Sequence, residues 1–373
     1  LENKDLKIDK KPNIFIFICE AFRKDHITDE LTPNLEKFKK KNYFINNSYS
    51  SANATQHSWF SIFHSNNSIS YSGNFNDYKK GSIPLNILKK MGYKINIYAS
   101  CETKFYHMDE VLFGKDHFLI DKFNNLFHTS KIAAIRDKNT VSLLSKDLAK
   151  KEFNNSNIFI IFLDSTHSEY SWGKEYKAKH FPVVDTINYL SLSFNKSNLY
   201  KLQNRYKNAV GYIDHLFNEA INSMEKNNLL KDSIIVFTSD HGEEFYEEKS
   251  IFHGSQLNEY QLSVPIIYKL NSDKKLNANI SSHIDIFPTI LDTLSNKETF
   301  DDLFDGKSIF SKHRKNYVIS ANQNGSYTPN EIIFHFDDLK MKGKITSQKN
   351  KCIFELNDFE SYSRDKFINY LNL

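Results

Sequence analysis

Short, almost wholly apolar runs separated by amphipathic stretches make up most of this chain. The first, Asn13–Cys19 (NIFIFIC), lacks polar alternation, the pattern of a strand buried on both faces of a parallel sheet. Similar runs recur at Lys94–Ala99, Asn157–Leu163, Ser233–Thr238 and Val264–Tyr268. Between them the apolar positions fall at helical spacing. Thr32-Pro33 opens one such segment carrying Leu35 and Phe38, and Leu85–Met91 is another. The longest, Leu202–Asn227, sets Tyr206, Val210, Ile213, Leu216, Phe217, Ile221 and Met224 on one face. Strands alternating with helices predict a doubly wound α/β sheet. A helix reaching Leu294 closes that pattern, and from about residue 315 short alternating strands (NYVIS, EIIFHF, KCIFEL) predict a β-rich appendage. The expected organisation is a lead over 1–11, an α/β domain over 12–300 and a small C-terminal β-rich subdomain over 301–373.

Composition narrows the function classes. The 31 Phe and 20 Tyr of this 373-residue chain argue for a packed core rather than disorder. A net charge of +4 without a Lys/Arg cluster gives no nucleic-acid face. Three scattered cysteines (Cys19, Cys101, Cys352) make neither a disulfide scaffold nor a zinc ribbon, and Cys19 reads as a small buried hydrophobe. No apolar stretch approaches the roughly 20 residues that span a bilayer. The polar lead (LENKDLKIDKK) leaves room for a membrane anchor upstream of the sequence in hand.

In open α/β sheets ligands bind beyond the carboxyl ends of the strands. Glu20 follows the first run; Asp164 and then His167 follow the run ending at Leu163; Ser239-Asp240-His241-Gly242-Glu243-Glu244 follows Thr238. Read singly, each is an ordinary strand terminus. Together they are an oxygen-and-imidazole ligand set without thiolates, suited to zinc, manganese or magnesium. A nucleophile is available at Thr55, where a loop of small residues (Ser50–Ala54) runs into an apolar helical pattern with Trp59, Phe60, Ile62 and Phe63. There a free hydroxyl sits at a helix N-terminus, where backbone N–H groups favour an anion such as phosphate. A plain N-cap role for Thr55 is compatible with this chemistry.

These motifs resemble one family in combination and in order. Glu20-Ala21-Phe22-Arg23-Lys24-Asp25-His26 is similar to the E-x-x-R-x-D-H opening of phosphoethanolamine transferases. Ser239–Glu243 resembles the S-D-H-G-E shared by those enzymes and the lipoteichoic-acid synthases, and Ile251–Gly254 resembles their following H-G element. Ser282–Thr289 resembles the sulfatase-type H-x-D-x-x-P-T helix, and Asp305–Ser308 a D-G-x-S turn near the domain end. Finer details, namely Tyr49–Thr55, Leu163–His167, Asn204–Val210 and Asp240–Phe245, resemble the periplasmic domain of YejM/PbgA-type inner-membrane proteins.

The resemblance implies an alkaline-phosphatase-like three-layer α/β/α sandwich with a mostly parallel sheet. It implies that Glu20, Thr55, Asp240 and His241 hold one divalent metal and that Thr55 attacks phosphorus. His167 and His253 would contact phosphoryl oxygens or protonate the leaving group; alternatively, Asp164, His167 and His253 hold a second metal. Arg23 and Asp25 would pair structurally behind the first strand. The implied substrate is a phospholipid or lipopolysaccharide-type envelope component, and the implied setting a periplasmic or extracytoplasmic domain of a bacterial inner-membrane protein. The alternative function is a non-catalytic lipid-binding or regulatory domain. The chain departs from the family patterns twice. Thr55-Gln56-His57-Ser58-Trp59 lacks the Cys/Ser-x-Pro-x-Arg needed to make formylglycine, which points away from sulfate esters. The cysteine pairs of phosphoethanolamine transferases are also missing, which loosens the head-group assignment.

Overall fold

In a computed structural model, which describes residues 11–150, 153, 156–187, 196–295, 300–322, 330–348 and 351–356, the apolar runs pair into one seven-stranded sheet. The strand order is Tyr43–Phe44, Ile266–Lys269, Ile234–Ser239, Ile14–Cys19, Asn157–Leu163, Lys94–Ala99 and Lys122–Asn125. Ile14–Cys19 lies at the centre, parallel to both neighbours, and none of its residues is more than 1% exposed. Its alternation of Ile and Phe has a direct meaning. Ile14, Ile16 and Ile18 face a layer containing Trp59, Ile62, Phe63 and Leu85. Phe15, Phe17 and Cys19 face the other layer, built on Val210, Ile213 and Phe217 of the helix Lys196–Lys226. The fold is therefore the expected α/β/α sandwich, with apolar burial on both faces of the sheet as its main stabilisation.

The expected run at Val264–Tyr268 departs in one respect: its strand, Ile266–Lys269, runs antiparallel to Ile234–Ser239. Periodicity cannot report direction, and between the two strands the only helix among the described residues is the four-residue Glu259–Leu262, so no crossover helix packs on the sheet to return the chain parallel. Beyond residue 315 the structure has four antiparallel strands in sequential order, Tyr317–Asn322, Glu331–Phe336, Lys340–Gln348 and Lys351–Leu356. The third was missed because its sequence, KMKGKITSQ, is largely polar. This sheet touches the loop that leads into Thr55 directly: the Ala321 N–H donates to Ser51 O at 3.0 Å and the Ser320 hydroxyl to Ser50 O at 2.5 Å. The polar lead over residues 1–10 lies outside the described residues. Among the described residues no helix is long and apolar enough to cross a membrane.

Candidate active site

Strand register gathers the carboxylates. Cys19 pairs with Leu163 on one side and Ser239 on the other, so Glu20, Asp164 and Asp240 leave three adjacent parallel strands in one row. Ala21 then takes a left-handed conformation (φ 50°), which a non-glycine residue adopts only under constraint. The constraint is visible: its N–H donates to Asp240 Oδ1 at 2.9 Å, and the next N–H, of Phe22, donates to Ser239 Oγ at 2.8 Å. Arg23 and Asp25 pair through two contacts, and Arg23 also reaches Glu247 at 2.6 Å, which gives them the structural role read from the sequence.

Thr55 opens the helix Thr55–His64, whose N-cap, Ala54, has no capping side chain. The first-turn N–H groups of such a helix lack intrahelical acceptors and face the site. The Thr55 hydroxyl lies 3.1 Å from Glu20 Oε1 and 3.2 Å from His241 Nε2. Its loop is tied to the Asp240 strand by His283, which receives the Ser51 N–H at Nδ1 (3.4 Å) and donates from Nε2 to Ser239 O (2.8 Å). That bridge requires a neutral imidazole. Full burial supplies one by pushing the His283 pKa down to about 3. The H-x-D-x-x-P-T element thus works here as a brace.

Glu20, Asp240 and His241 each offer an atom within 4.8 Å of the others. Asp240 Oδ1 accepts the Ala21 and His241 N–H groups, whereas its fully buried Oδ2 has no hydrogen-bond partner. That oxygen lies 3.5 Å from His241 Nε2. Burial and the neighbouring Glu20 charge drive the Asp240 carboxyl far above its ordinary range. Burial pushes Glu20 the same way, but the hydrogen bond and charge of His241 hold it well below. Burial opposes protonation of His241, and the Asp240 charge outweighs it, raising the imidazole. His241 Nδ1 donates to Gly242 O at 2.9 Å, which aims Nε2 inward. Two carboxylates, an imidazole and a hydroxyl converging on an unsatisfied buried oxygen fit a divalent cation.

Gly242 holds this turn by having no side chain: a Cβ there would lie 2.0 Å from Tyr260 O. Gly242→Ala is expected to destabilise the protein by about 1–3 kcal/mol and to weaken divalent-ion binding. Thermal melts with and without added ion read both effects.

A second group forms beside the first, though with a different carboxylate from the one the sequence suggested. Glu20, His167 and His253 come within ligating distance of one another. Asp164 is held instead by Arg136, which pairs with its Oδ2, while its N–H donates to Asp137 Oδ1 at 2.9 Å. Arg136 is a neighbour the sequence did not reveal; it sits on the helix Ala133–Leu148, with no flanking motif. The rings of His241 and His253 are 4.1 Å apart. A cavity of about 890 Å³ opens from Thr55 and Glu20 past Trp59, Phe105, Phe127 and Lys131.

The Sulfatase family model matches residues 12–296. The chain is a member of the sulfatase family. It is 25% identical over 291 residues to the lipoteichoic acid synthase of Staphylococcus aureus (strain USA300), covering 72% of this chain and 40% of that protein. It spans less than half the length of the curated relatives it matches, 49% of one and 40% of this synthase. Among solved structures, the lipoteichoic acid synthase LtaP from Listeria monocytogenes superposes with a TM-score of 0.64 at 18% identity, over 100% of this chain and 93% of that one. The C-terminal periplasmic domain of EcEptC from Escherichia coli, solved in complex with Zn, superposes with a TM-score of 0.63 at 17% identity, over 85% and 91%. The sulfatase-family fold is thereby shared with a lipoteichoic acid synthase and with a periplasmic domain solved in complex with Zn.

Proposed function

We propose that this sulfatase-family chain transfers or hydrolyses a phosphoryl-linked head group, of the phosphoethanolamine or phosphoglycerol kind, through Thr55. The carrying observation is the Thr55 hydroxyl at a helix N-terminus, 3.1 Å from Glu20 and 3.2 Å from His241, beside the unpartnered Asp240 Oδ2. Glu20, Thr55, Asp240 and His241 would hold one divalent ion, zinc, manganese or magnesium. Such an ion supplies Lewis acidity, drawing charge from the Thr55 hydroxyl and from a phosphoryl oxygen.

The chain's own groups do the rest. The first-turn N–H groups after Ala54 orient the phosphoryl oxygens. Thr55 Oγ1 forms the new bond to phosphorus, and its proton passes to solvent. The P–O bond to the leaving group breaks with its electron pair on oxygen, which takes a proton from His253 or His167. Water or a second hydroxyl then attacks phosphorus and gives its proton to the histidine left neutral by the first step, while the bond from phosphorus to Thr55 Oγ1 breaks with its electron pair on Oγ1, which takes a proton from solvent. The cavity beside Thr55 would admit the head group of an envelope lipid, in an extracytoplasmic domain associated with a membrane.

Thr55→Ala is expected to bring turnover of a phosphodiester to background, a loss on the order of 10³-fold or more. Thr55→Ser should retain measurable activity. Steady-state rates on bis(p-nitrophenyl) phosphate check this. An active Thr55→Ala enzyme would overturn the nucleophile assignment, and an inactive wild type with intact ion binding would favour the non-catalytic lipid-binding alternative.

A further inference from the structure

Two consecutive glutamates follow the Asp240-His241-Gly242 turn, both fully buried, and they do different things. Glu244 is spent on architecture: it accepts the backbone N–H groups of Glu248 and Ser250 at 2.9 Å and the side-chain amides of Asn258 and Gln261. Glu243 instead bridges two side chains from the loops that carry the site histidines. Its Oε1 takes the His253 Nδ1 hydrogen bond at 3.1 Å, and its Oε2 accepts the Tyr170 hydroxyl at 3.0 Å. Tyr170 follows His167 in a turn closed by the Tyr170 N–H to His167 O at 2.9 Å, and Glu169 and Tyr170 have φ values of 85° and 40°. Left-handed backbone at two successive non-glycine residues persists only where surroundings enforce it. Here the Tyr170 ring is fully buried against Tyr206 and Phe245, with its hydroxyl on Glu243.

We infer, building on the function proposed above, that Glu243 is a positioning residue for the leaving-group step: one buried carboxylate that fixes the His253 ring and ties it to the His167 turn. The geometry has a specific chemical consequence. An imidazole that donates from Nδ1 to a carboxylate presents Nε2 to the site as its only exchangeable position. His253 is 23% exposed at its side chain, its ring lies 4.1 Å from that of His241, and it comes within ligating distance of Glu20 and His167, which places it at the site where the leaving group would be protonated. As the P–O bond breaks, the proton moves from His253 Nε2 to the leaving oxygen, and the imidazole becomes neutral. Glu243 keeps Nδ1–H throughout and exchanges no proton. Its effect is therefore confined to reactions whose leaving oxygen needs a proton.

The test uses the whole chain with divalent ion and compares wild type, Glu243→Gln and Tyr170→Phe. Glu243→Gln keeps the shape and one acceptor oxygen but loses the charge; Tyr170→Phe loosens the carboxylate from its second tie. With an alkyl phosphodiester such as glycerophosphoethanolamine, whose leaving alkoxide is strongly basic, kcat is expected to fall about 10²-fold in Glu243→Gln and less in Tyr170→Phe, with KM little changed. With bis(p-nitrophenyl) phosphate, whose leaving group departs unprotonated, both variants should stay within a few-fold of wild type, and their bound metal, measured by elemental analysis, should equal it. Equal losses on both esters, or metal loss in parallel with activity, would overturn the inference. A readout independent of turnover accompanies it. In protein labelled with ¹⁵N-histidine, near pH 9 and so above the ordinary histidine range, His253 should be the Nδ1–H tautomer. Finding Nε2–H in the wild type would overturn the inference even if the protein turned over nothing. Loss of Thr55 dependence with the Nδ1–H tautomer intact would instead count against the proposed function alone.

Discussion

Asp240→Asn is expected to abolish turnover while making the metal-free protein more stable. Both effects arise at one oxygen. In the wild type Asp240 Oδ1 accepts two backbone N–H groups, at 2.9 Å from Ala21 and 2.8 Å from His241, and Oδ2 is buried without a partner beside the Glu20 charge. Asparagine keeps the accepting oxygen, so the turn after Ser239 survives. Its amide can donate to Glu20 without taking up a proton, so at neutral pH it removes the cost that Asp240 meets either by binding a proton or by opposing the Glu20 charge. Such relief is worth roughly 1 kcal/mol, about 2 °C for a protein of this size. The same change removes an anionic ligand from the Glu20, Asp240 and His241 set, and activity should fall on the order of 10³-fold. Melts of metal-free wild type and variant, beside rates on bis(p-nitrophenyl) phosphate, measure the pair. A variant that melts lower would show that Oδ2 is satisfied in solution; one that stays active would remove Asp240 from the site.

Divalent-ion stabilisation should grow as pH rises, while the metal-free protein weakens over the same interval. His241 is raised because the Asp240 charge outweighs burial, and His253 because Glu243 does. Stability from these protonated imidazoles is full below the ordinary histidine range and is lost as pH climbs through the raised values. Asp240, raised by burial and by Glu20, competes with His241 for one proton, and whichever of the two holds it, that proton is one the unfolded chain releases at lower pH. Glu20 works the other way. Held low by His241 against burial, it contributes above the ordinary carboxylate range and is lost only in strong acid. Two protons, one on His253 and one held between Asp240 and His241, therefore tilt the metal-free protein downward between about pH 5 and 8. An ion needs those same groups deprotonated, so its stabilisation rises across that window, reaching about 2.7 kcal/mol at a hundredfold excess over Kd. Thermal scans at several pH values, with chelator or with added zinc or manganese, should give diverging curves. Parallel curves would contradict an ion seated on Glu20, Asp240 and His241.

The layers of the fold were legible because burial on both faces of a sheet leaves a continuous apolar run, as in Asn157–Leu163, and a one-sided helix leaves a stripe, as in Leu202–Asn227. The residues at strand ends were legible because register is implicit in parallel pairing: Glu20, Asp164 and Asp240 could be expected in one row before any distance was known. What stayed hidden depends on contacts between distant segments. Asp164 looked like a ligand until Arg136, which approaches from the helix Ala133–Leu148, claimed its carboxylate. Glu243 and Glu244 are indistinguishable in sequence, yet one braces a turn and the other faces two side chains. The direction of Ile266–Lys269 and the polar strand Lys340–Gln348 leave no periodic trace.

The central claim is that Thr55 carries the phosphoryl group, and peptide mass spectrometry of acid-quenched turnover mixtures tests it most directly. Wild-type protein mixed with divalent ion and phosphodiester, then quenched and digested, should yield a Thr55 peptide bearing the phosphoryl-linked group, absent from Thr55→Ala and from chelator-treated controls. Turnover with Thr55 unmodified, or with phosphorus on another residue, would contradict the account.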